Sequence, residues 1–107
     1  MSLSDSGTHT STDTSEVTLS EKTDPGTYVL KVDLTNMAVD DVVTVLVYDK
    51  VLPAGAYAVW QRKTYSGVQS EPVVATDPLV VDSAVKASIK QTAGSTYRDI
   101  YWALHVI

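Results

Sequence analysis

A chain of 107 residues with 44 % hydrophobic and 20 % charged side chains is sized and composed for a single modest core. It contains no cysteine, which removes disulfides, thiolate nucleophiles and sulfur-ligated zinc. No run approaches the roughly 18 apolar residues of a membrane-spanning helix, and a net charge of -5 argues against a nucleic-acid partner, which would need a cationic face. Neither membrane nor nucleic acid is an expected partner.

The charge is unevenly placed. Between Met1 and Asp24 stand Asp5, Asp13, Glu16, Glu21 and Asp24 against Lys22 alone, a net of -4, so the remainder of the chain carries only -1. A nearly neutral body has little charge repulsion to keep copies apart, which favours a self-associating subunit.

The first segment, residues 1–15, is mostly Ser, Thr, Asp and Gly, with Leu3 its only large aliphatic side chain after Met1. It buries too little apolar surface to offset roughly 1 to 2 kcal/mol of backbone entropy per residue. A flexible arm over 1–15 and a folded domain over 16–107 are therefore expected, the arm ordering only against a neighbour. Its opening residues have neither a basic start nor an apolar stretch, so no secretory leader is expected.

From Glu16 onward the pattern has period two and is rich in Val and Thr, which suit a pleated, half-buried surface. A short strand is predicted over Glu16–Ser20, then a Pro25-Gly26 turn. Thr27–Leu34 alternates, with Tyr28, Leu30, Val32 and Leu34 on one face. Asp41–Leu52 is apolar on both faces, which predicts a central strand or one whose second face another subunit covers. Ala56–Tyr65 follows Pro53 and Gly55 as the second arm of a hairpin; strict alternation puts Tyr57 and Tyr65 on one face with Val59, Gln61 and Lys63. Pro72 and Pro78 confine Ser70–Asp82 to an edge or loop. Ala84–Gln91 points Val85, Ala87 and Ile89 inward, and after a turn at Ala93-Gly94-Ser95 the strand Asp99–Ile107 aligns Ile100, Trp102, Leu104 and Val106. The expected fold is all-β, an antiparallel β-sandwich or barrel of jelly-roll or immunoglobulin-like type.

Motifs for chemistry are sparse. His9 and His105 lie in the arm and the last strand, too far apart in order and setting for a preorganised metal site. Asp40-Asp41 lacks the alternating oxygens and glycine of a calcium loop and reads as a turn or strand entry. No G-x-S-x-G elbow and no glycine-rich phosphate loop occurs. With three Glu in the chain the supply of paired carboxylates is poor. No catalytic residue, metal or cofactor is expected. The aromatic residues are all Tyr or Trp, without a Phe; such side chains suit surfaces where one edge is buried and the other meets a polar partner.

The segments Asp41-Val42-Val43, Lys50-Val51-Leu52, Thr64-Tyr65, Glu71-Pro72 and above all Lys90-Gln91-Thr92-Ala93-Gly94 resemble a family of small all-β virion proteins encoded in the structural gene modules of tailed bacteriophages and prophages. The resemblance spans roughly Thr27 to Ile107, and departs after that glycine, where Ser95-Thr96-Tyr97 precedes Arg98. It implies a structural, non-enzymatic role: a capsid decoration or cement protein, made in the host cytoplasm and seated on the virion as an oligomer, with a homotrimer favoured. The implied partners are the major capsid protein or another virion protein, and a tail, neck or fibre component is the nearest alternative. From the residues alone, a small carbohydrate-binding β-sandwich is the other reading. Candidate contact residues are Leu3, Tyr57, Tyr65, Tyr97 and Arg98.

Overall fold

The computed structural model describes residues 2–94 and 96–107; Met1 of the expected arm and Ser95 of the expected turn lie outside the described residues. Among the described residues nine strands follow one another: β1 (Ser2–Thr10), β2 (Val17–Lys22), β3 (Gly26–Asp33), β4 (Val42–Lys50), β5 (Ala58–Ser66), β6 (Val73–Ala75), β7 (Leu79–Val81), β8 (Ala84–Ala93) and β9 (Asp99–Val106). They form two antiparallel sheets packed together, a β-sandwich. One sheet has the order β1-β9-β3-β6 with β7 also on β3, and the other the order β2-β8-β4-β5.

The alternation explains the core. Tyr28, Leu30 and Val32 of β3 with Ile100 and Leu104 of β9 meet Val43, Val45 and Val47 of β4 with Val85, Ala87 and Ile89 of β8. Each fully buried Val, Leu or Ile contributes about 1.5 to 3 kcal/mol. Trp102 and Val106 share the inward face and pack on this core while remaining partly exposed. Pro72 and Pro78 flank β6 and β7, which are three residues each and pair only with β3, as an edge requires. β4 is central, and on its outer face Thr44 and Leu46 are buried within the chain itself, flanked in register by β5 and β8.

Two expectations are corrected. Ser2–Thr10 is not an unpaired arm: it is β1, in antiparallel register with the whole of β9 from Ser2↔Val106 to Thr10↔Asp99. Apolar content is a poor guide here because the attachment is mainly main-chain. β9 offers a free row of N–H and C=O groups, and a Ser- and Thr-rich strand satisfies them as well as an apolar one. Side chains add the Ser20 hydroxyl donating to Asp5 at 2.8 Å, which closes that side of the sandwich. Gly7 lies opposite Trp102, where a Cβ would sit 3.3 Å from the indole, so glycine leaves room for the ring beneath the strand.

The second correction concerns β5. Val47 pairs with Gln61 but Tyr48 pairs with Val59, so the strand carries one extra residue at Trp60. Such a bulge inverts the alternation beyond it. Gln61, Lys63 and Tyr65 therefore stand opposite the inward valines of β4, and Tyr65 packs on the core, while Val59 is in register with outward-facing Tyr48. Tyr57 and Tyr65 do not share a face. Gln61 also exchanges two hydrogen bonds with Asp77, 2.9 and 3.0 Å, which close the other side of the sandwich.

Candidate protein-contact surface

Four connections meet at the end of the sandwich where β3 and β8 finish and β4 and β9 begin: residues 11–16, 34–41, 67–72 and the loop between β8 and β9. At their centre lies Asp41, fully buried. Its Oδ2 accepts from the Ala38 amide at 2.8 Å and from Arg98 Nε at 3.1 Å, the only ion pair among the described residues. The Asp41 carbonyl accepts from the Gly67 amide at 2.8 Å. One aspartate thus joins three of the four connections, which accords with a turn and strand-entry role for Asp41.

Gln91 completes the cluster. In unbroken register from Ile89 it stands opposite Val43, facing inward and buried, and the bulge of β8 follows it at Thr92. Its Nε2 donates to the carbonyl of Thr96 at 3.0 Å, and its Oε1 accepts from the Arg98 amide at 3.3 Å. Gly94 has φ +124, a conformation that L side chains rarely adopt, and a Cβ there would collide with the Asp41 carboxylate. Within Lys90-Gln91-Thr92-Ala93-Gly94, the residues with structural consequence are therefore Gln91 and Gly94. No sequence pattern marks Gln91 as an inward amide, because a polar residue at an inward phase reads as the end of a strand.

This cluster fixes the loops that carry the exposed apolar side chains of this end: Val39 at 85 % exposure, Val68 at 69 % and Tyr97 at 38 %. Tyr97 and Arg98, both expected as contact residues, lie here. Tyr97 is exposed, whereas Arg98 is committed to Asp41.

The two outer sheet faces differ. On the four-stranded sheet, Glu16 accepts from the Tyr48 and Ser88 hydroxyls at 2.6 Å each, and Glu21 accepts from Tyr57 at 2.6 Å. Lys86 Nζ lies 4.5 Å from the Tyr48 ring centroid and 5.1 Å from that of Tyr57, which Lys50 also approaches at 4.8 Å. Burial and the bond to the Glu21 carboxylate push the Tyr57 hydroxyl up to about 12. Partial burial works to raise Glu16, but the two hydroxyl bonds and the nearby Lys86 and Lys90 outweigh it and hold the carboxyl below its ordinary value. Tyr48, Tyr57, Glu16, Glu21, Lys50 and Lys86 of this face are thus already partnered with one another.

The outer face of the five-stranded sheet mixes exposed apolar side chains with Lys31 and Asp33. Leu3, expected as a contact residue, is exposed opposite His105, and Val73, Val80 and Tyr101 are exposed on the same face. Of the expected contact residues, the structure brings together Tyr97 and Arg98 and leaves Leu3, Tyr57 and Tyr65 on three separate surfaces. Val39, Val68 and Tyr101 were not singled out by the sequence, since an isolated apolar residue in a loop or at an outward phase carries no periodic signal.

Comparison of the chain with known protein families, with curated proteins and with solved structures finds no match.

Proposed function

We propose that this protein is a non-enzymatic structural component of a bacteriophage virion, a decoration or cement-like protein that seats on the capsid surface as an oligomer. The family resemblance supplies the setting. The observation that carries the reading is the loop end, where Val39, Val68 and Tyr97 project from connections fixed to one another through buried Asp41. Apolar side chains carried on connections anchored to one another spare the loops part of the ordering entropy of docking, which suits repeated attachment to a protein lattice. The partner is the major capsid protein, and the protein is made in the host cytoplasm before joining the virion.

The carbohydrate-binding alternative draws less support. Sugar stacking needs an open aromatic face, but Lys50 and Lys86 approach the Tyr57 ring and Tyr65 packs on the core. The test is co-sedimentation of the purified protein with expanded capsids of the major capsid protein from the same gene module. Saturable binding supports the reading. Binding to isolated tails and not to capsids would move the protein to the tail, neck or fibre class, and binding to neither would overturn the virion assignment.

A further inference from the structure

The outer face of β9, β3 and β6 can be written as rows from the strand register. One row runs Thr8, Tyr101, Asp33, Val73 and the next Ser6, Ala103, Lys31, Ala75. We propose that a second copy of this chain covers this face, through a two-fold axis lying in the interface plane, perpendicular to the strands and level with Val32. The inference rests on the oligomeric reading above and names the contact that would build the oligomer.

An axis so placed reverses the strand direction and keeps each strand over its own copy, so the first row of one copy lies over the second row of the other. Thr8 then faces Ser6, Tyr101 faces Ala103, Asp33 faces Lys31 and Val73 faces Ala75. Every larger side chain meets a smaller one, and the two charges are opposite, which is the self-complementarity that a two-fold interface requires. An open depression of about 250 Å³, lined by Lys31, Asp33, Val73, Tyr101, Trp102 and Ala103, lies at this level and would receive the partner's tyrosine ring. Both charges remain open to a partner. Lys31 is exposed and outside the one ion pair found among the described residues, and Asp33 accepts from Thr35 through Oδ1, with no hydrogen bond to Oδ2 among the described residues. In a body 40 × 26 × 18 Å, the broad face is large enough for the roughly 800 Å² per partner of a standard interface. The assembly is then built from pairs, in place of the trimer that the resemblance implies.

The test is sedimentation equilibrium of the full chain and three surface variants. The wild type is expected to dimerise. Lys31→Asp places two like-charged rows face to face and Asp33→Lys does the same with opposite sign, so each should weaken the dimer about tenfold or more. The double swap Lys31→Asp with Asp33→Lys should restore it. A monomeric or trimeric wild type, or a dimer indifferent to the single reversals, overturns the proposal. Capsid co-sedimentation of Lys31→Asp separates the two readings: a monomeric wild type whose Lys31→Asp variant still binds capsids removes the dimer alone, whereas loss of all capsid binding by the wild type removes the virion reading.

Discussion

Arg98 donates from Nε to Asp41 Oδ2 at 3.1 Å, joining residues 57 apart in sequence and tying the connection before β9 to the one before β4. Asp41 is fully buried and the Arg98 side chain is 30 % exposed, so the aspartate depends on the arginine more than the reverse. Removing the cation leaves a buried carboxylate with only the Ala38 amide as its described donor to Oδ2. Arg98→Met is expected to cost on the order of 3 kcal/mol, whereas Asp41→Asn, which removes the charge that needs compensation, costs less. Denaturant midpoints of the two variants check this; equal and small shifts would show the pair to be superficial.

β1 should be part of the cooperative fold. Deleting residues 1–10 bares the edge of β9 and one side of Trp102, so the thermal midpoint is expected to fall. Gly7→Val brings a branched side chain against the indole and should loosen β1 selectively, read as faster amide exchange in Ser2–Thr10 than in β4 or β8. Trp102→Ala should cost about 2 kcal/mol, under the 3 to 5 typical of a fully buried aromatic, because the ring is only partly covered. A truncation that leaves the midpoint unchanged would return the segment to the status of a loose end.

Most strands are legible in the sequence. The alternation of Tyr28, Leu30, Val32 and Leu34, and of Val85, Ala87 and Ile89, is a direct record of one buried face. β1 was not legible, since a strand held by main-chain bonds and Gly7 leaves no apolar signature. The Trp60 bulge was equally hidden: alternation counts residues, and one extra residue reverses every side chain beyond it. The contact between Asp41 and Arg98 depends on the packing of two loops far apart in sequence, which no local spacing encodes.

Acid should destabilise the fold through two carboxylates. The Ser20 hydroxyl foremost holds Asp5 below its ordinary value, and Glu16 is held low against the opposing effect of burial by Ser88 and Tyr48. A carboxyl depressed in the folded state contributes stability that is fully present above its unfolded value, about 3.9 for Asp and 4.3 for Glu, and is lost as pH falls through the folded value. The thermal midpoint is therefore expected to hold from neutral pH to about 5 and to drop below about 4. The Asp5→Asn, Glu16→Gln double variant should drop less steeply; an unchanged profile would place the acid sensitivity elsewhere.

Tyr57 should titrate late. With its hydroxyl pushed up to about 12 by burial and the Glu21 bond, a phenolate signal should appear near that pH, and Glu21→Gln should bring it down. The folded value lies above the unfolded one near 10, so this stabilisation is complete below about 10 and is lost as pH rises toward the folded value. Spectrophotometric titration of wild type against Tyr57→Phe isolates the step. A Tyr57 signal at the ordinary tyrosine pH would mean that the bond to Glu21 does not persist in solution.

The proposed docking of the Asp41 loop end to a virion lattice can be read by electron cryomicroscopy of expanded capsids incubated with the protein. The expected result is ordered density at a repeated lattice position with Val39, Val68 and Tyr97 against the major capsid protein, and loss of that density for Val39→Asp with Val68→Asp at an unchanged thermal midpoint. Capsids that remain bare, or density in which this loop end points into solvent, would contradict it.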